Sequence, residues 1–409
     1  MTVIEFFDRN DVENITSILL LKPERVIFVG DSKKQMRRAL ERYELIIRTR
    51  GIRTVLDVCS VNRNNLESIV TTLSEVVAEV GECTFDLSGG EEFFHLAVGI
   101  LMERFGDRVS VHRLNLENSV LTTANATLTE RRTEHLDVTV DEYISLYNGH
   151  IVTDPAEPVH TYPWVLDEEL ARDVETMFEI CRRNEGLWNA TATMLGLITS
   201  GGKDALAYEI PLKRAEKIIE NTGHRFRLSE DIMSPLAKAG LIRRSVVSGV
   251  LHLQFKNEAI KRCLTIAGQV LELHVAMLMR ALRDEDGRAL YTDVRVGTVI
   301  DWAPDDGNEQ VRTLNEIDVI AMKDGIPVFI SCKNGDFSNE ECYKLRTVAA
   351  KFGGESARTV IVASETARLG PRLLHLRARA SEMGIRLVEL EDTMDHGELL
   401  RLMSTLWCK

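Results

Sequence analysis

The sequence predicts a multidomain α/β protein, on three observations. Residues 24–113 alternate apolar strand-like runs with amphipathic helical runs. Residues 211–253 read as helix, turn, helix and then a hairpin. From Leu264 a long helical run precedes three strands, a helix, a strand, a helix and a final strand. At 409 residues the chain is too long for one ordinary domain, and the expected divisions are 1–150, 165–260 and 261–409.

The N-terminal elements follow in order. Arg25–Gly30 is a strand that breaks at Gly30-Asp31-Ser32, and a helix runs on to about Arg50. Ile52–Val58 is a second strand, with a helix from about Asn64 to Val80. Cys83–Leu87 is a third, entering Ser88-Gly89-Gly90 and another helix, and Val109–Arg113 is a fourth. This alternation predicts right-handed crossovers and a doubly wound, Rossmann-like parallel sheet. The stretch 114–165 is less regular, and its clustered Pro155, Pro158 and Pro163 mark a linker.

Glu168–Arg183 is helical, and Pro211–Leu253 ends in a hairpin turning at Ser248-Gly249, the pattern of a winged helix-turn-helix linker domain. Beyond it the spacing predicts a helix over Leu264–Leu282 and strands near Asp293–Asp301, Glu316–Met322 and Ile326–Lys333. A helix at Asn339–Phe352, a strand at Thr359–Val362, a helix at Arg368–Glu382 and a strand at Ile385–Leu390 complete the unit.

Composition bounds the function. A hydrophobic content of 44% with 28% charged residues describes a soluble globular chain. No run of apolar residues is long enough to span a membrane, and Met1-Thr2-Val3-Ile4-Glu5 has no secretory character, so no membrane partner is expected and the expected location is cytoplasmic. Seven scattered cysteines without a CxxC pair argue against a zinc site or a disulfide framework. A net charge of −13 repels polyanions on average, so a nucleic acid must be met by a local basic surface or through bound metal.

Two adjacent strands carry the most informative residues. Asn315–Met322 and Ile326–Lys333 are joined by a tight Lys323-Asp324-Gly325 turn, with Asp318 inside the first and Lys333 ending the second. Buried strands have little use for either charge, and together they offer a carboxylate for a cation and an ammonium that reaches the same water or phosphate. Glu272 adds a carboxylate on an apolar helix face beside Gly268, Val275, Ala276 and Met279. Glu340 or Glu341 opens the following helix. Cys332 alternates away from the site and reads as a core side chain.

This spacing and topology resemble the PD-(D/E)XK nucleases and their restriction-endonuclease-like core. The resemblance implies metal-dependent phosphodiester hydrolysis with Mn2+ or Mg2+, Glu272, Asp318 and Lys333 as catalytic residues, and Asp318, Glu272 and the Cys332 main-chain oxygen as metal ligands. One departure stands out. The family's second carboxylate precedes the lysine by two residues, where this chain has Ser331, so a carboxylate such as Glu316 or Glu340 would have to replace it, or catalysis is weakened or absent.

In the N-terminal sheet, ligands are expected beyond the carboxyl ends of the strands. Those loops are Gly30-Asp31-Ser32-Lys33, Cys59-Ser60-Val61-Asn62 and Ser88-Gly89-Gly90-Glu91. No GxGxxG or Walker A sequence is present. The Asp86-Leu87-Ser88-Gly89-Gly90 turn, followed by a winged helix and the nuclease-like core, resembles the ancillary nucleases with a CRISPR-associated Rossmann fold (CARF) domain. The resemblance implies an antiviral effector activated by a cyclic oligoadenylate, with cyclic tetra-adenylate the expected ring. It also implies a homodimer holding the ring across two sensor domains, and cleavage of single-stranded DNA or RNA with nicking of duplex DNA. Carried over by position, Asp31, Ser32, Lys33, Ser60, Ser88, Gly89, Gly90 and Glu91 would line the ring. Two other readings stand beside it: a nucleotide-responsive DNA-binding regulator with a degenerate nuclease core, favoured by Ser331, and a repair or junction nuclease without a second messenger.

Overall fold

Thr2–Phe6 forms the first strand, β1, although Glu5 interrupts its apolar run. After it come Asp11–Leu21 (α1), Arg25–Gly30 (β2), Lys33–Thr49 (α2), Val55–Ser60 (β3), Leu66–Val80 (α3), Cys83–Asp86 (β4), Glu92–Phe105 (α4) and Val109–Asn115 (β5). The computed structural model describes residues 1–8, 10–125, 127–184, 186–201, 205–221, 227–302, 312–335, 337–353, 356–391 and 393–408. The five strands are parallel in the order β3-β2-β1-β4-β5, so the winding reverses between β1 and β4. This is the doubly wound arrangement that the strand–helix alternation predicts.

The stretch expected to be a linker is partly regular. Val120–Ala124 (β6) and Leu128–Arg132 (β7) extend the sheet as an antiparallel ribbon on β5. Val140–Leu146 (α5) follows, opened by a capping box between Thr139 and Glu142. His150–Ile151 (β8) is a short strand that joins a different sheet, described below.

The middle of the chain contains Glu168–Arg182 (α6), Trp188–Thr199 (α7), Ala207–Pro211 (β9), Leu212–Glu220 (α8), Glu230–Lys238 (α9), Ile242–Val247 (β10), Val250–Phe255 (β11) and Glu258–Thr265 (α10). The β10–β11 hairpin turns where expected, with Ser248 and Gly249 at φ 51° and 76°, the paired positive values of a two-residue primed turn. β9 completes a three-stranded sheet against β11.

The remaining elements are Gln269–Ala281 (α11), Asp293–Asp301 (β12), Leu314–Lys323 (β13), Ile326–Asn334 (β14), Asn339–Phe352 (α12), Arg358–Ser364 (β15), Arg372–Glu382 (α13), Arg386–Leu390 (β16) and His396–Ser404 (α14). The single helix expected over Leu264–Leu282 is two helices. Ile266 is extended and Gly268 takes φ 88°, which breaks the run and makes Gly268 the N-cap of α11 rather than a member of its face. The sheet order is β16-β15-β14-β13-β12-β8, with β14, β15 and β16 mutually parallel and the other pairs antiparallel. Among the described residues no helix is long and apolar enough to cross a membrane.

The C-terminal sheet is covered on both faces by different parts of the chain. Val319, Ala321, Ile330 and Cys332 pack in one cluster with Val275 and Met279 of α11 and with Val174 and Phe178 of α6. On the other face Ile320, Met322 and Phe329 share a cluster with Val12, Ile15, Tyr43 and Tyr143 of the N-terminal helices. The N-terminal unit therefore docks on the C-terminal sheet through a continuous apolar interface.

One polar feature lies inside the N-terminal sheet. Glu5, Asp86 and His112 are register partners on β1, β4 and β5, and all three are buried. Ser17 Oγ of α1 donates to Asp86 Oδ2 at 2.6 Å and lies 3.0 Å from Glu5 Oε2, and His112 Nε2 lies 2.9 Å from Asp86 Oδ2. Asp86 Oδ1 also accepts the Ser88 N–H at 2.7 Å, tying this row to the glycine loop. Burial would lift the Asp86 carboxyl, yet His112, Ser17 and Ser88 hold it down to about 2. Burial and the Asp86 charge push Glu5 well above the usual carboxylate range.

Candidate active site and ligand pocket

A kink in β12 and β13 builds the C-terminal site. Their pairing runs Val296↔Val319 and resumes at Thr298↔Ile317, leaving Gly297 and Asp318 between. Gly297 has φ 56°, a conformation that suits a residue without Cβ. Strict alternation would put Ile317 and Val319 on the same face, but they pack in opposite clusters. The β13–β14 pairing stops at Val319↔Ile330, so the strands part at Asp318.

The freed backbone then serves the side chain. Asp318 Oδ2 accepts the Cys332 N–H at 2.6 Å and the Ser331 hydroxyl at 3.1 Å. Lys333 Nζ lies 3.8 Å from the same oxygen and 3.0 Å from Glu341 Oε2. Glu272 enters from the first turn of α11, held by Gln269 Nε2 at 2.8 Å. Ser331 thus orients Asp318 through its hydroxyl. Of the two acids considered at the next helix, Glu341 takes the ammonium and Glu340 faces solvent.

These groups act on one another electrically. Burial, then the Asp318 and Glu316 charges, push Glu272 up to about 8, against the pull of Lys333. Burial also raises Asp318, outweighing what Lys333, the Cys332 amide and Ser331 return. Burial disfavours the Lys333 ammonium, yet Asp318 and Glu341 raise it above its ordinary value. Burial pushes the Cys332 thiol well up, with Asp318 and Glu272 adding to the rise. That thiol is a core side chain, but it packs on the α11 face within reach of the carboxyl charges rather than away from them: β14 keeps its alternation through Val328, Ile330 and Cys332, and the shift lies in β13, at Asp318.

Among the described residues no three His, Cys, Asp or Glu side chains form a ready-made metal group. The donor chemistry still suits a small hard dication, which takes one or two carboxylates and fills its shell with water and substrate phosphate. Lys333 meets Asp318 and Glu341, and Glu272 and Glu316 add carboxyls whose charges act on one another and on Asp318, so acidic groups outnumber the ammonium and a cation can offset them.

At the N-terminal switch point, Phe7, Asp8, Gly30, Asp31, Arg63, Gly90, Glu91 and Phe94 line a cleft of about 360 Å³. The α2, α3 and α4 N-termini follow the carboxyl ends of β2, β3 and β4, an arrangement favourable to anions. Gly90, at φ 96°, lies so close to Phe6 that a Cβ would come within 3.0 Å of that side chain. Arg63, which sequence reasoning passed over one residue beyond the Cys59–Asn62 loop, bridges Asp31 at 3.4 Å and Glu91 at 3.0 Å. Asp8 reaches the Gly90 N–H at 3.5 Å.

The other expected ligand residues divide. Ser32 caps α2 by accepting the Gln35 N–H at 3.4 Å, Lys33 is exposed on the first turn, and Ser60 donates to the Asp31 carbonyl at 3.3 Å. Gly89 lies in the loop, its carbonyl 2.9 Å from His95 Nε2. Ser88 turns elsewhere: its hydroxyl accepts the Leu114 N–H at 2.8 Å, and it lines a separate cavity with Glu13 and Arg113.

No protein-family model matches the chain, and no curated protein matches it in sequence. Two solved structures share its fold over nearly its full length. The protein VC1899 from Vibrio cholerae superposes with a TM-score of 0.71 at 19% identity, over 99% of this chain and 97% of that one. Can2 from Sulfobacillus thermosulfidooxidans, solved in complex with cyclic tetra-adenylate, superposes with a TM-score of 0.66 at 14% identity, over 98% of this chain and 97% of that one. At these identities the likeness is one of fold, and the fold is the α/β one that the sequence predicts.

Proposed function

We propose that the protein is a cyclic-oligoadenylate-activated, metal-dependent nuclease of CRISPR antiviral defence, with a PD-(D/E)XK site in residues 261–409 and a CARF sensor in residues 1–150. The observation that carries the reading is the meeting of Glu272, Asp318 and Lys333, from a helix and two strands, at a deliberate break in the sheet. The fold shared with Can2, which was solved with cyclic tetra-adenylate, supports that ring as the activator.

A Mn2+ or Mg2+ ion held by Asp318 and Glu272 would supply charge neutralisation and an acidified water for phosphodiester hydrolysis. Asp318 is fixed for this by two bonds on Oδ2, while Oδ1 accepts none among the described residues. Lys333, kept protonated and aimed by Glu341, donates toward the charge that develops on the phosphate oxygens. In the sensor, Arg63 and the helix N-termini hold ring phosphates, and Gly90 lets the backbone approach. A symmetric ring fits a homodimer, each protomer presenting the same loops. Substrates would be single-stranded DNA or RNA, with nicking of duplex DNA, in the cytoplasm.

The test is cleavage of labelled single-stranded DNA and RNA with Mn2+ or Mg2+, with and without cyclic tetra-adenylate, by the wild type and Lys333→Ala. Dependence on metal, ring and Lys333 supports the reading, and cleavage indifferent to the lysine removes it. Ser331 favours a second reading, a ligand-responsive DNA-binding regulator, which predicts ring-sensitive duplex binding without cleavage. Against it, the first turn of α9 carries Glu230, which engages Arg244 of the wing strand β10.

A further inference from the structure

The segment after β8 returns along the C-terminal sheet. Thr161 Oγ1 accepts the Val299 N–H at 2.9 Å, and Val299 is the register partner of Glu316. Tyr162 therefore sits next to the acidic site. The Arg262 guanidinium of α10 lies over its ring, 4.1 Å from the centroid, and Trp164 closes edge-on against Tyr162 at 4.6 Å. Among the described residues no carboxylate pairs with Arg262, and its Nε is buried without a hydrogen-bond partner. Its charge reaches the site: burial and Asp318 raise the Glu316 carboxyl, and Arg262 draws it back.

Arg262 lines a groove of about 920 Å³ together with His160, Tyr162, Thr199 and Lys261, and the one carboxylate among the lining residues, Glu258, lies 3.5 Å from the Lys261 ammonium, which leaves the Arg262 charge in surplus. A guanidinium braced on an aromatic ring, in direct ion pair with no carboxylate among the described residues, is a receptor for phosphate. Aromatic and imidazole rings along the same wall offer faces to unpaired bases, which a duplex keeps stacked inside. In a chain of net charge −13, a polyanion must enter where the field is locally reversed.

We infer that the groove between the 155–162 segment and helices α7 and α10 is the entry channel for a single-stranded polynucleotide, with Arg262 gripping a phosphate beside the Glu316 rim. The inference rests on the nuclease reading above and names the path by which its substrate arrives.

The experiment uses the full-length protein with cyclic tetra-adenylate, calcium in place of the catalytic cation, and labelled 20-mers of oligothymidylate and oligouridylate, read by anisotropy across a salt series. Arg262→Gln should weaken binding about tenfold and reduce the salt slope by about one, with Arg262→Lys between it and wild type. In the wild type, strands carrying 5-iodouracil should photocross-link to Tyr162 or His160, a readout that needs no variant. Binding of either oligomer in the groove supports the inference. Unchanged affinity in Arg262→Gln, cross-links only outside the groove, or tighter binding of duplex than of single strand would overturn it. The two readings fail separately. Cleavage surviving Asp318→Ala removes the catalytic assignment and leaves strand binding measurable, whereas Asp318-dependent cleavage undisturbed by Arg262→Gln removes the channel alone.

Discussion

The two large sheets of this protein carry ionisable side chains in their interior, and the two sets are built on opposite terms. In the N-terminal sheet, Glu5, Asp86 and His112 are 0%, 1% and 2% exposed, and the charge on Asp86 faces an imidazole and a hydroxyl. In the C-terminal sheet, Asp318 and Glu341 meet Lys333 at a parted pair of strands, part-buried, and Glu272 and Glu316 add carboxyls that act on Asp318 and on each other. The first set is nearly self-satisfied and holds a loop in shape through Ser88. The second is deficient in positive charge and accessible. Burial of charge does not by itself mark a working site; an imbalance that a visitor can correct does.

The contrast breaks most sharply at the central aspartates. Asp318→Ala should lower ring-stimulated cleavage about a thousandfold, read from initial rates, while calorimetric affinity for cyclic tetra-adenylate stays as in the wild type. Full activity would place the C-terminal set with the structural one. Asp86→Ala should instead cost about 3–5 kcal/mol in urea unfolding, because it leaves buried His112 without its partner.

Glu5→Gln sharpens the electrostatics of the buried row. Glu5 keeps its proton in the folded chain and loses it in the unfolded chain above the ordinary value of 4.5. Wild-type stability therefore falls as pH rises from there, by at most about 1.4 kcal/mol per unit. The amide removes that dependence, so the melting temperature of the variant should gain on wild type between pH 5 and pH 8; a constant gap would show that Glu5 ionises normally. Asp86 has the opposite sign. Its contribution is present above 3.8 and lost as pH falls through about 2. The smallest effect is expected at Arg63→Ala, which leaves Asp31 and Glu91 facing an anionic ring and should weaken its binding about tenfold by calorimetry.

The sequence was readable where local chemistry dominates. The Lys323-Asp324-Gly325 and Ser248-Gly249 turns demand positive φ, and they fall where Gly and its neighbours stand. The switch-point loops followed from strand–helix alternation. It was opaque where tertiary contacts decide. β1 was missed because buried Glu5 spoils its pattern, and only Ser17 and Asp86, distant in sequence, make that carboxyl tolerable. The break at Gly268 was missed because a lone glycine inside a helical pattern is often absorbed. The engagement of Ser88 was not legible, because its partner, the Leu114 N–H, comes from β5. Asp318 was legible as an anomaly, but its partner Glu341 was not distinguishable from Glu340 without the helix phase.

The strand His150–Ile151 has a practical consequence. It completes the edge of the C-terminal sheet against Ile300 and Asp301, and Val152 continues the contact with Val299 at 2.9 Å. A protease nick in the Asp154–Pro158 turn would therefore yield halves that travel together through a sizing column, clasped by a borrowed edge strand. A fragment beginning at residue 165 would lack that clasp and expose the raw side of β12, inviting self-association.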